Sequence, residues 1–236
     1  SHAQRWEMAR LHLLRRTWHG SSCEHGTRVL IERWAPPAAQ FGLEARWSFT
    51  PVGGKTGGAS AGAALPGSCL AVKVDMTPYG HWPERIPRAG VRLRIPGTGW
   101  TASWVGETDI AYADMPGVNP DGFGCAKLEE LWDVGVKPQE GGHRPGLKVL
   151  ELRGEERALT ILPRSEVGWS ASPWSERELA QAGHWEDLPH SNQTFVWLDA
   201  IQDGIGTRSC GPDARPEFGA RMNPFVIEFI VCVTDL

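Results

Sequence analysis

Thr194-Phe195-Val196-Trp197-Leu198-Asp199-Ala200, then Gly204-Ile205-Gly206-Thr207-Arg208-Ser209-Cys210-Gly211-Pro212, then Phe225-Val226-Ile227-Glu228-Phe229-Ile230-Val231-Cys232-Val233, set the pattern of this chain. The outer two stretches are rich in β-branched and aromatic residues, which suit a pleated, half-buried surface. The middle one is a glycine-rich loop, and Gly204, Gly206 and Gly211 are expected to supply positive φ values. The same alternation recurs upstream in short runs punctuated by Gly and Pro. Leu43, Ala45, Trp47 and Phe49 share one face, as do Val72, Val74 and Met76. Val91, Leu93 and Ile95 oppose Arg92 and Arg94, and Leu147–Leu152 and Ala158–Leu162 complete a strand-rich series. Such spacing predicts an all-β, antiparallel sandwich.

One helix has a clear start. Ser175 and Glu178 form a capping-box pair, and the helix should run to about Gln181 and stop at Gly183. Trp6–Leu14 reads equally as strand or helix. Val52–Ala64 is too small-sided to bury a face and reads as a mobile loop, and Met115–Gly124 reads as a second long loop.

The 236 residues can bury a substantial core. We expect one domain over 4–236, with Ser1-His2-Ala3 set aside as resembling the scar of a removed tag. A net charge of −4 with mixed signs gives no reason to expect nucleic acid or an anionic membrane as partner. No apolar run of about 18 residues is present, so a soluble, cytoplasmic protein is expected. Five widely spaced cysteines lack metal-ligand spacing and read as reduced, mostly buried thiols. Twelve tryptophans are unusual, since an indole face can stack on the C–H side of a sugar ring, although most serve a core.

From about Tyr79 to Leu236 the chain resembles the C-terminal domain of family 2 β-galactosidases. Three features carry the likeness in the right order: Ile86–Pro96, which resembles that family's Pro-Arg-x-Gly strand; Pro138-Gln139-Glu140-Gly141-Gly142-His143-Arg144, which resembles its Pro-Gln-Glu turn; and the closing strand–loop–strand. The resemblance implies a galactose mutarotase-like supersandwich in an enzyme that hydrolyses terminal, non-reducing β-D-galactose with retention. That mechanism needs two carboxylates on a separate (β/α)₈ barrel. No strand–helix alternation here could build one, so the chain is expected to lack the catalytic pair and to work beside a barrel domain or large subunit. It should need no cofactor or metal of its own, leaving metal ions to the catalytic part of an enzyme that can assemble as a homo-oligomer.

In that family the glycine-rich loop walls the active-site mouth and can carry a tryptophan that stacks on the sugar; the matching position here is Cys210. Arg208 and Asp213 would then meet hydroxyls, with Cys210 lining the wall. Gln139, Glu140, His143 and Arg144 gather polar groups in one turn and are further substrate-binding candidates. Trp104–Asp114 departs strongly from the corresponding family turn, which leaves Tyr112 and Asp114 a structural role under a loop. Two alternatives stay open. One is a stand-alone carbohydrate-binding module; the other is an aldose 1-epimerase with His143 as acid and Glu140 as base.

Overall fold

Alternation becomes strand at each run where the sequence carries it. The computed structural model describes residues 6, 8, 10–53, 68–83, 85–115, 121–132, 135–207 and 211–236. Ordered along the chain, the strands are β1 (Arg15–Glu24), β2 (Thr27–Ala35), β3 (Gly42–Val52), β4 (Ser68–Tyr79), β5 (Arg88–Pro96) and β6 (Thr101–Glu107). There follow β7 (Asp121–Lys127), β8 (Val149–Arg153), β9 (Arg157–Pro163), β10 (Gly168–Ser172), β11 (Gln193–Gln202) and β12 (Phe225–Asp235). Nine of them form one antiparallel sheet in the order β1-β2-β3-β4-β12-β9-β8-β6-β7, and β10-β11-β5 form a second.

The two sheets share one core. Val74, Leu150, Leu152, Ile161, Ile227 and Phe229 from the large sheet meet Val91, Trp169, Val196 and Leu198 from the small one. This is the expected all-β sandwich, and the faces assigned to β3, β4 and β5 are those that pack inward. Helix α1 (Glu176–Gln181) starts where expected. The Ser175 hydroxyl accepts from the Glu178 amide at 3.3 Å, and the Glu178 carboxylate accepts from the Ser175 amide at 2.8 Å.

Several expectations are corrected. The loop read over Met115–Gly124 gives way to strand at Asp121, because Gly122 and Gly124 lie in β7. A Cβ on Gly124 would come within 2.1 Å of the Trp104 ring, so the missing side chain makes room for an indole on the neighbouring strand. The cysteines are not all reduced. β4 and β12 pair with Cys69 opposite Cys232, and the two form a disulfide across 163 residues. Cys23 and Cys125 are free and exposed rather than buried. Within the ambiguous Trp6–Leu14 stretch, a 3₁₀ turn occupies Leu11–Leu13. Most of the loop read over Val52–Ala64 lies outside the described residues, though Val52 itself ends β3.

Hairpin β1–β2 was not anticipated, since every β1 residue is exposed and no alternation marks it. It is anchored by Glu32, only 1% exposed, whose carboxylate accepts from the indoles of Trp34 (3.1 Å) and Trp47 (2.7 Å) and from Arg16. Among the described residues no helix is long and apolar enough to cross a membrane.

Candidate functional site

β11 is the middle strand of the small sheet, and its period of two sorts its side chains between two faces. Val196 and Leu198 enter the core. Trp197 lies on the opposite face, in a narrow cleft of about 20 Å³ with Arg88, Ser170, Trp132, Glu140, Trp174 and Trp185. Gln139 also lines it. The volume is that of about one water molecule, so this cleft is a seam between the sheet and its covering loops.

A chain of charges runs beneath the seam. Arg88 Nη1 lies 3.1 Å from Glu140 Oε2 and 3.8 Å from Asp199 Oδ2, with its guanidinium 4.9 Å from the Trp197 ring centre. His143 Nδ1 faces the same Asp199 oxygen at 3.6 Å, too far for a hydrogen bond. Asp199 is 4% exposed, and Oδ2 makes no hydrogen bond. Burial raises the Glu140 carboxyl above its ordinary range; Arg88 opposes that shift, while Glu176 and Asp199 add to it. His143 fits only because position 168 is glycine, where a Cβ would stand 2.2 Å from the imidazole Cε1.

Arg144 belongs to the scaffold. Its guanidinium donates to the Thr108 carbonyl (3.1 Å) and the Gly142 carbonyl (2.9 Å) and lies near the rings of Trp104 and Trp169. A Glu–Arg pair within the turn therefore does not form, because Glu140 turns to Arg88 on β5 instead. Burial lowers the Arg144 pKa, against the pull of Asp109 and Tyr112, yet a guanidinium stays charged under all ordinary conditions.

The glycine-rich loop leaves the far end of β11 on a firm base. Asp203, 4% exposed, accepts at Oδ1 from Arg85 Nε (3.1 Å) and Nη2 (2.7 Å) and from the Ala220 amide (2.8 Å). Asp114 then takes the amides of Ile205 at 3.1 Å and Gly206 at 2.6 Å, which is the role under a loop expected of it. The loop closes on itself where the Thr207 amide donates to the Pro212 carbonyl and the Gly211 amide to the Thr207 carbonyl. Only Gly206 of the three glycines has positive φ, at 61°. Gly204 and Gly211 are needed for close approach instead, since a Cβ would press on Asp114 and on Thr207.

The candidate residues thus divide. Gln139 and Glu140 reach the seam, while His143 and Arg144 are buried below it. Asp213 is exposed beside the glycine-rich loop; Arg208 and Cys210 lie outside the described residues. Arg88, Asp199 and the indoles of Trp132, Trp174 and Trp185 escaped the sequence reading. An acid inside an apolar strand run was the one signal that could have marked Asp199. Among the described residues no group of three or more His, Cys, Asp or Glu could hold a metal ion.

Residues 4–231 match the family model of the β-galactosidase small chain. A β-galactosidase of Arthrobacter sp. (strain B7) is 34% identical over 168 residues, which are 66% of this chain and 16% of that protein. One from Actinobacillus pleuropneumoniae is 29% identical over 67% of this chain and 15% of its own length, and one from Staphylococcus xylosus 25% over 61% and 14%. The matched stretch therefore takes in about one seventh of each relative. With the family match running over nearly its whole length, the chain belongs to the β-galactosidase small-chain family.

Proposed function

We propose that this chain forms one wall of the sugar site of a complete β-galactosidase, a family 2 glycoside hydrolase in which terminal, non-reducing β-D-galactose is released with retention. The two carboxylates of that double displacement would come from a barrel domain of the same polypeptide or from a large subunit. The observation that carries the reading is the polar base of the glycine-rich loop, where Asp203, Arg85 and Asp114 fix the backbone on either side of Arg208–Cys210. Loops held this way by a rigid scaffold are the usual carriers of ligand contacts. Arg208 and Asp213 would meet hydroxyls, with Cys210 lining the wall. Glu140 suits binding rather than catalysis, because Arg88 already occupies its carboxylate.

The epimerase alternative gains nothing from the geometry, since His143 is 6% exposed and faces Asp199. The complete enzyme would be cytoplasmic and able to form a homo-oligomer. The Cys69–Cys232 bond pulls the other way on location, since such bonds persist in oxidising compartments.

The test is turnover of a chromogenic β-galactoside by the chain alone and after mixing with the separately expressed catalytic part of a family 2 β-galactosidase. No turnover alone and activity on mixing support the reading. Turnover by the chain alone that survives Glu140→Gln overturns it.

A further inference from the structure

The seam opens at one end into a recess of about 450 Å³, a volume in the range of small-ligand sites. Trp132, Trp174 and Trp185 wall it, with Glu129, Glu186 and His190 among its polar lining. Ring centres lie 4.9 Å apart for Trp132 and Trp174 and 6.0 Å for Trp174 and Trp185, with planes tilted by 59° and 58°. Two indoles are held by backbone: Trp174 Nε1 donates to the Pro189 carbonyl and Trp185 Nε1 to the Gly135 carbonyl, each at 2.8 Å. Trp132 Nε1 is buried without a hydrogen-bond partner. All three rings are half-buried, while Glu129, Glu186 and His190 are exposed.

We infer that this recess is a second saccharide-binding site, separate from the glycine-rich loop. The rings tilt against one another with centres 4.9 and 6.0 Å apart, spacings of direct ring contact that make a ledge rather than an open cage around a cation. A ledge of indole faces suits the C–H side of a pyranose, and the carboxylates of Glu129 and Glu186 can accept from its hydroxyls. The position follows from the strand order. Thr194 lines the recess at the start of β11, whereas the glycine-rich loop leaves after Gln202. Eight residues of strand, at about 3.3 Å each, put well over 20 Å between the two, beyond the reach of one disaccharide. The recess would hold a remote part of a longer chain, or anchor the enzyme on one. This inference does not depend on the loop being part of the active-site wall.

The experiment titrates the chain with lactose, galactose and cellobiose, and with choline as a cation probe, followed by calorimetry and tryptophan fluorescence. Saturable saccharide binding in the millimolar range is expected, weakened about three- to tenfold by Trp185→Ala, the equivalent of losing one aromatic stacking contact. Glu186→Gln and Glu129→Gln, at exposed positions where folding is not at risk, should each weaken it measurably. Three results would overturn the site: no binding of any of the three sugars, binding of choline alone, or saccharide binding that both glutamine variants leave intact and Asp114→Asn abolishes. The last would assign the sugar to the loop, and so would also separate this inference from the function proposed above.

Discussion

Asp199 and Asp203 are four residues apart, equally buried, and differently used. Asp203 holds Arg85 and the Ala220 amide at hydrogen-bond distance. Asp199 has the Arg88 guanidinium at 3.8 Å and the His143 imidazole at 3.6 Å, both beyond it. The first arrangement is a clip whose partners cannot shift without loss. In the second, Arg88 is shared between two acids and spends its shortest contact on Glu140, at the edge of the seam. The comparison teaches that the Asp203 end of β11 is built to position a loop, and the Asp199 cluster to keep charge balanced behind a surface.

If that contrast is real, its largest effect lies at the clip. Arg85→Ala leaves the Asp203 carboxylate buried without its guanidinium, and removing one partner of a buried ion pair costs about 3–5 kcal/mol. Urea denaturation should show that loss. Arg88→Ala should cost clearly less, since its guanidinium is partly exposed and its contact with Asp199 is long. Equal losses would erase the distinction.

Asp114 tests the same end more gently. Its two bonds to the Ile205 and Gly206 amides are charge-assisted, and Asp114→Ala should cost about 1.5–3 kcal/mol. Asp114→Asn keeps one acceptor oxygen and should cost less. In a complete enzyme both should raise KM for a β-galactoside more than they lower kcat, if the loop walls the sugar site. A smaller effect is expected at the other end of β11, where α1 carries Leu179 into the seam. Ser175→Ala removes the cap that starts α1 and should cost about 1 kcal/mol in the same denaturation experiment.

What the sequence disclosed follows the range of the interactions. Leu43–Phe49 and Ala71–Met76 were legible because alternation is local, and the Ser175–Glu178 cap because both partners sit within one turn. β7 was hidden because its Gly124 answers to Trp104 on another strand. The Cys69–Cys232 bond depends on β4 pairing with β12, which no spacing reveals. At the site, Gln139 and Glu140 were legible as a polar turn, but Arg88, the partner of Glu140, was not, being 52 residues earlier on β5. The indole ledge gathers residues from three separate loops, so only the unusual tryptophan count hinted at it.

Glu140 offers the subtlest test of the looser cluster. Its carboxyl is raised from an ordinary value near 4.5, so over a window beginning there the folded chain holds a proton that the unfolded chain has released. Stability should therefore fall as pH rises from the unfolded pKa to the raised folded one, then level off. Glu140→Gln cannot titrate and should lack that slope, so the wild type should lose ground to the variant across the window. The side chain remains 43% exposed, and solvent screening keeps the effect small; the sign is the measurement that matters. Urea midpoints for both proteins from acid to neutral pH give it directly. A wild type that instead gains on the variant as pH rises would mean that Arg88 outweighs burial. Glu140 and Arg88 would then be a clip like Asp203 and Arg85, and the contrast along β11 would not hold.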